Sequence, residues 1–428
     1  MKINIKTYGC SANTSDSEVI AGCLTKAGYE LTKHEAEADL LIFNTCAVKG
    51  PTENRIIEAI KQTPKSKKII ITGCLPKISH ERLINETRFD AVTGPAIGED
   101  ITEIVKNVIA GEKNLNLQDQ KETPKLTLPK INTNPIISIL PINNGCLGSC
   151  TYCCVVFARG KLKSYSIPEI TQKIQADLAS GIKEFWITSQ DTACYGRENG
   201  TTLPQLLNEI DHIEGNFKVR VGMMTPNMIT DMQNELIQAY KSTKIFKFLH
   251  FPVQSGDDQI LKNMRRFYTT QQFKESIQAF KTAFPNLTLA TDVIVGFPGE
   301  TNQAFQNTLQ LLREIKPDIT NVSKFFARPK TAAAEMKEGK VMLEEIKRRS
   351  TLTTLLVKQL SFERNKQWIG WSGEILIDEI GKMKDSWVGR NFAYKPIAVK
   401  SQENLLGKTI KVKVTQAFPT YLSGNIIP

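Results

Sequence analysis

Long apolar runs are missing from the 428 residues: no stretch of eighteen apolar residues occurs anywhere, which argues against a membrane-spanning helix and leaves no membrane partner expected. The opening MKINIKTYGC lacks the apolar core and small-residue cleavage site of a secretory leader. A cytoplasmic protein is therefore expected, in a compartment where thiols stay reduced. Internal repeats and low-complexity tracts are also absent. Histidine is scarce, with four in the chain, and none stands beside the cysteine-rich stretch 145–156 to complete a closed zinc site.

What is present is length, positive charge and cysteine. A chain of 428 residues exceeds one compact core and predicts two to three domains. Lys and Arg number 55 against 44 Asp and Glu, a net charge of +11, which leans toward a polyanionic partner, nucleic acid first. Many soluble proteins are mildly basic without such a partner, so charge alone is a weak argument. Nine cysteines in a reducing compartment point to metal binding or catalysis rather than disulfides.

Residues 1–110 alternate strand and helix. INIKTYGC, ADLLIFNTC and KKIIITGC read as strands, the latter two with the continuous apolar runs of strands covered on both faces, hence a parallel α/β sheet. Each runs into a cysteine: Cys10, Cys46 and Cys74. In open α/β sheets the carboxyl ends of strands face the ligand crevice, so three thiols distant in sequence are expected to converge. Residues 111–135 are polar and proline-punctuated and read as a linker. From 136 to 366, six βα units suggest a partial or complete barrel, ending in a charged helix. Residues 367–428 carry short strands separated by Gly, Asn or Pro, the pattern of a small all-β barrel.

The stretch GCLGSCTYCCVV sets Cys146, Cys150 and Cys153 at C-x3-C-x2-C spacing, with Cys154 directly after. Gaps this short let one tight loop fold three thiolates around an iron–sulfur cluster. Structural zinc wants four ligands, and adjacent cysteines point in different directions, so Cys154 is read as a non-ligand packed beneath the loop. Three ligands leave one position open for an exogenous molecule. The loop also follows the first barrel strand, at the face where barrel chemistry occurs. Cys23 and Cys194 read as core or pocket-wall residues.

This stretch resembles the cluster loop of the radical S-adenosylmethionine superfamily, in which three cysteines hold a 4Fe-4S cluster whose open iron chelates the cofactor. Tyr152 occupies the aromatic position typical before the third cysteine. YGCSANTSDSE, FNTCAV, ITGCLP, TSQDTACYG and TDVIVGFPGET narrow the resemblance to the methylthiotransferase family, over essentially the whole chain. The resemblance implies an α/β protein: an N-terminal flavodoxin-like doubly wound parallel sheet, a central radical-SAM partial (βα)6 barrel, and a C-terminal TRAM-like RNA-binding barrel. It implies a second 4Fe-4S cluster on Cys10, Cys46 and Cys74, S-adenosylmethionine as cofactor, an electron donor such as ferredoxin or flavodoxin, and a sulfur donor that the sequence does not identify. It also implies removal of hydrogen from an unreactive C–H bond by a radical, followed by sulfur insertion.

Position and resemblance together place Gln190, Asp191, Gln254, Ser255, Asp292 and Gly296 at the cofactor site, with His250 at the pocket mouth. For Gln190 and Asp191 a helix cap is an equal reading, and for His250 a structural hydrogen bond is the commoner fate. Arg159, Arg265, Arg266 and Arg328 are expected on the active face as phosphate contacts. Lys330 and Ala332 stand where relatives carry a glycine and a proline, which leaves the loop around Arg328 open. In the C-terminal module Lys384, Trp387, Arg390, Phe392, Tyr394 and Lys395 interleave charge with rings, suited to base stacking and phosphate contact; a solvated β surface over a small core is the alternative. NNGCLGSCTYCCVVFARGKLKSYSIPEI and FLHFPVQSGDD most resemble the branch acting on threonylcarbamoyladenosine in tRNA. Branches acting on isopentenyladenosine or on a ribosomal-protein aspartate, and a radical enzyme of another reaction type, stay open.

Overall fold

The computed structural model describes residues 1–48, 50–116 and 125–428. The N-terminal domain comprises β1 (Lys2–Thr7), α1 (Ser11–Lys26), β2 (Glu30–Leu31), β3 (Leu40–Thr45), α2 (Gly50–Lys61), β4 (Lys68–Gly73), α3 (Leu75–Ile78), α4 (His80–Glu86), β5 (Ala91–Thr93), α5 (Ile101–Ile109) and β6 (Asn114–Asn116). Its six strands form one parallel sheet in the order β2-β1-β3-β4-β5-β6. Strands β3 and β4 are buried at nearly every position, which explains why they read as unbroken apolar runs. Burying side chains such as Leu41, Phe43, Ile69 and Ile71 completely contributes about 1.5–3 kcal/mol each.

The expected linker is partly structural. β6 comes from it and pairs in parallel with β5, and Leu128 packs into the core that α1 and α5 make with the sheet. Residues 117–124 of that linker lie outside the described residues. The short segment Asn114–Asn116 lies in a polar stretch that reads as linker, and pairing along the free edge of β5 overrides that composition.

The central domain holds β7 (Ile137–Pro141), β8 (Asn143–Asn144), α6 (Val155–Arg159), β9 (Lys163–Ser164), α7 (Ile167–Ala179), β10 (Glu184–Thr188), α8 (Leu203–His212), β11 (Lys218–Val221), α9 (Gln233–Ala239), β12 (Phe248–His250), α10 (Asp258–Asn263), α11 (Thr270–Ala283), β13 (Thr288–Val295), α12 (Asn302–Ile315), β14 (Ile319–Lys324), α13 (Ala332–Glu335) and α14 (Leu343–Lys366). Six of its strands form two parallel three-stranded sheets, β11-β10-β7 and β12-β13-β14, joined by a parallel bridge between Val219 and Ile245. The barrel is therefore partial, with β7 and β14 at its edges. Capping boxes at Ser166, Thr202 and Thr269 start the helices that return along its outside.

The C-terminal domain is a closed five-stranded barrel of β15 (Ser372–Ile380), β16 (Ser386–Arg390), β17 (Pro396–Lys400), β18 (Thr409–Ala417) and β19 (Leu422–Ile426). It packs against the amino-terminal ends of the central strands. Phe392 O accepts from Lys247 N at 2.7 Å, and Tyr394 stacks at a tilt on Phe246 and Phe248. Lys395 Nζ bonds Asp318 at the start of β14 and Asn365 at the end of α14, each at 2.8 Å. The small barrel thus plugs the end of the large one opposite the cysteine loop.

Candidate active site

The cysteine loop begins where β7 ends. Gly145 has φ +75°, and a Cβ there would collide with the backbone of Gly160 and Lys161, so only glycine turns the chain into the loop. Within it, Gly148 N–H donates to Cys146 Sγ at 3.1 Å and Val155 N–H to Cys153 Sγ at 3.4 Å. Arg266 Nη1 donates to Cys150 Sγ at 3.2 Å. Each of the three sulfurs therefore receives one N–H, the pattern that stabilises negative charge on sulfur. Burial pushes the Cys153 thiol far above its usual range, whereas the neighbouring Cys194 thiol and Gly148 N–H draw Cys146 down.

The N-terminal thiols sit at the carboxyl ends of three adjacent strands. Gly9, at φ +124°, brings the Cys10 turn so close to Cys46 that a Cβ would stand 2.8 Å from Cys46 Cβ. Cys74 N bonds Thr45 O at 2.8 Å, tying Cys74 beside Cys46. Asn13, one turn into α1, laces the site by donating to Tyr8 O and Thr45 O and accepting from Cys10 Sγ at 3.6 Å. Burial pushes Cys74 up to about 11 and raises Cys46. Thiols that cannot ionise at neutral pH by themselves become thiolate ligands when a metal centre takes the proton's place. Three sulfurs with no imidazole bonded to them among the described residues, each sulfur of the barrel loop receiving an N–H and Cys46 one from Val48, are a donor set that fits an iron–sulfur cluster with one iron left open.

A single peptide step carries the chain from the barrel loop into the N-terminal core. Cys153 belongs to the barrel loop, while Cys154 is buried in the N-terminal core with Phe43, Ala47 and Cys74, its thiol on Ala47 O at 3.5 Å. Two charged pairs pin the same boundary: Arg159 with Asp16 at 2.8 Å, and Arg328 with Glu53 at 2.5 Å. Arg159 also donates to Asn13 Oδ1 at 3.1 Å, reaching the shell of the N-terminal thiols.

The remaining residues divide. Ser189 Oγ and Gln190 Oε1 are buried without a partner among the described residues, polar atoms free to meet a ligand. Asp191 does cap the turn after β10, accepting from Ala193 N and Thr225 N at 3.1 Å each, yet its carboxylate stays within 4.8 Å of the sulfurs of Cys146 and Cys194. Tyr152 packs against an apolar cluster with Ile260, Met264 and Phe297. Gln254, at φ +72°, bridges to β13 through its backbone. His250 Nε2 lies 3.0 Å from Asp292, which also accepts from Asn321 at 2.7 Å.

Several of the expected site residues have partners of their own. Ser255 is fully buried, its hydroxyl spent on Asp257 N and Thr308. The space that a Cβ on Gly296 would enter is filled by Ile346 of α14. Arg159, Arg266, Arg328 and Lys395 are buried, and Arg390 is bound by Asp378 and Glu379, so each of these five already has partners inside the protein. Arg265 and Lys384 are exposed, and Trp387 is half-buried with its Nε1 on Ser401 O. Tyr394 is likewise buried, leaving Phe392 the exposed ring of that strand connection. Sequence reading missed Asn13 and Asp16, although buried polar residues following Cys10 at helical spacing were a readable sign.

A partial (βα)6 barrel with a three-cysteine loop, joined to a second cysteine-bearing sheet and a small β-barrel, defines a radical S-adenosylmethionine enzyme built to carry two metal centres. Profiles of the radical SAM superfamily match residues 140–312, of the TRAM domain residues 372–427, and of the uncharacterized protein family UPF0004 residues 2–94. A probable threonylcarbamoyladenosine tRNA methylthiotransferase of Pyrococcus horikoshii is 40% identical over the whole of both chains. The threonylcarbamoyladenosine tRNA methylthiotransferase of Homo sapiens is 34% identical over 99% of this chain and 74% of its own. The chain belongs to the threonylcarbamoyladenosine tRNA methylthiotransferase family, whose cofactors are S-adenosylmethionine and 4Fe-4S clusters. Among solved structures, the radical S-adenosylmethionine methyltransferase TsrM of Kitasatospora setae superposes with a TM-score of 0.56 at 13% identity, covering 78% of this chain and 73% of that one, a likeness of fold. No helix among the described residues is long and apolar enough to cross a membrane.

Proposed function

We propose that this enzyme converts threonylcarbamoyladenosine, on the 3′ side of the anticodon in cytoplasmic tRNA, into its 2-methylthio derivative, drawing electrons from a ferredoxin- or flavodoxin-like carrier. The observation that carries the reading is a pair of cysteine triads on two domains that join at the Cys153–Cys154 step, where Cys154 packs into the core that holds Cys74. Cys146, Cys150 and Cys153 hold the cofactor-binding cluster, and Cys10, Cys46 and Cys74 hold the sulfur-carrying one. The bound clusters and S-adenosylmethionine supply the one-electron C–H activation and the sulfur that no side chain offers.

The chain's own part is placement. Gly148, Val155 and Arg266 orient and neutralise the barrel sulfurs; Arg159 brings positive charge beside the N-terminal ones, and Asn13 orients Cys10 by accepting from its thiol. The Arg159–Asp16 and Arg328–Glu53 pairs fix the two domains so that both open positions face one substrate, and positioning of this kind is worth several kcal/mol of barrier. Ser189 and Gln190 offer hydrogen bonds to cofactor or nucleoside. Lys384 and Trp387 of the small barrel take the RNA at a distance, which suits a substrate as long as an anticodon arm.

The test is deletion of the gene in its native host, followed by digestion of total tRNA and mass spectrometry of the nucleosides. Loss of the 2-methylthio form with threonylcarbamoyladenosine accumulating is expected. An unchanged nucleoside profile would overturn the assignment.

A further inference from the structure

Reduction of the barrel cluster requires one electron from outside, while cofactor and nucleoside fill the space between the two triads. The electron must therefore enter by another side. Arg266 links a ligand sulfur to the protein surface. Its Nη1 donates to Cys150 Sγ at 3.2 Å, and its side chain also lines a surface concavity of about 460 Å³ on the α10–α11 connection. The same connection grips the loop directly: Thr151 N bonds Met264 O at 3.1 Å and Thr151 Oγ1 bonds Asn263 O at 2.9 Å.

The rim of this concavity is basic with an apolar centre. Lys262 and Arg265 are exposed, and neither has a side-chain hydrogen bond or ion pair among the described residues. Asp258, the acid of this rim, is occupied by Thr270 N at 2.7 Å. Phe267, the residue after Arg266, is 68% exposed, more than any other aromatic ring among the described residues, and a ring flanked by charge is the kind of residue that anchors interfaces. Meanwhile the RNA-binding barrel sits at the opposite end of the central strands, which separates this rim from it.

We infer that the surface formed by Lys262, Arg265 and Phe267 docks a small acidic one-electron carrier protein, which reduces the barrel cluster through the Arg266–Cys150 contact. One electron leaves the carrier, which is oxidised by one, and the cluster is reduced by one; no bond forms or breaks in the protein. The inference rests on the triad assignment above.

The test uses the full-length, cluster-loaded protein and flavodoxin as probe. Lys262→Glu/Arg265→Glu and Phe267→Ala are compared with the unaltered protein in two measurements: the affinity for oxidised flavodoxin by flavin fluorescence, and the rate of cluster bleaching by reduced flavodoxin in stopped flow. The charge reversal is expected to slow bleaching about tenfold at low salt and to flatten its salt dependence. Phe267→Ala is expected to weaken affinity about tenfold without changing the salt dependence. Bleaching by dithionite, which needs no docking, stays unchanged in both. Unaltered flavodoxin affinity and rate would overturn the inference, and so would a loss confined to tRNA affinity, which would make the rim an RNA surface. Failure of the triad assignment is distinguishable, because dithionite bleaching would then be absent from the unaltered protein as well.

Discussion

Arg159, at the end of α6 in the barrel, pairs with Asp16 of α1 in the N-terminal domain at 2.8 Å, and both side chains are buried. The guanidinium is held strongly protonated: burial opposes its charge, but Asp16 and the thiols of Cys74 and Cys10 outweigh that cost. One residue thus joins two domains and touches the surroundings of one triad.

Arg159→Ala leaves Asp16 buried without its cation, a change that costs roughly 3–5 kcal/mol. We expect a lower urea midpoint for the N-terminal domain and loss of iron from its triad. Arg159→Lys, which keeps the charge, is expected to recover part of the stability. Denaturation curves and iron content per chain check this; unchanged values for Arg159→Ala would show that the pair holds nothing.

Cys194 lies with its sulfur within 4.8 Å of Cys146 Sγ, positioned to donate S–H toward a ligand sulfur. Hydrogen bonds to ligand sulfurs raise cluster potentials by favouring the more negative reduced state. A hydrogen bond worth about 1 kcal/mol corresponds to roughly 40 mV for a one-electron couple. Cys194→Ala is expected to lower the midpoint potential of the barrel cluster by tens of millivolts with iron content unchanged, as read by an EPR-monitored redox titration. Iron loss in this variant would instead make Cys194 a ligand.

Glu184 at the base of the barrel and Asp378 of the small barrel are buried carboxyls, pushed up to about 8 and about 6 chiefly by burial. A carboxyl whose folded value exceeds its unfolded value of about 4.3 binds more protons when folded, so its contribution is full at acid pH and fades as pH rises through the folded value. Stability of the barrel–barrel junction is therefore expected to fall between about pH 5 and pH 8. Glu184→Gln keeps an acceptor for Trp186 Nε1, which bonds Glu184 at 2.6 Å, and is expected to flatten the decline. Unfolding midpoints across this pH range decide it.

Sequence legibility followed backbone periodicity and stopped at burial. The strands preceding Cys46 and Cys74 were readable because fully buried parallel strands are apolar at every position, the one preceding Cys10 from its alternation of Ile3 and Ile5 with polar neighbours, and strand ends dictate where the thiols go. The barrel loop was readable from spacing alone. The arginines were not: a cation reads as surface, and only the opposing acids Asp16 and Glu53, remote in sequence, show why Arg159 and Arg328 are inside. The contact of Gly296 with Ile346 was illegible for a similar reason, since the two are fifty residues apart. The position of the small barrel rests on long-range contacts such as Lys395 with Asp318, which leave no local pattern.

The most direct measurement is a reaction in vitro on tRNA carrying threonylcarbamoyladenosine, comparing the reconstituted enzyme with a Cys10→Ala/Cys46→Ala/Cys74→Ala variant. We expect the unaltered enzyme to form the 2-methylthio nucleoside, and the variant to cleave S-adenosylmethionine to 5′-deoxyadenosine and methionine while forming none. Methylthiolation by the variant at an undiminished rate would contradict the assignment of sulfur transfer to the N-terminal triad.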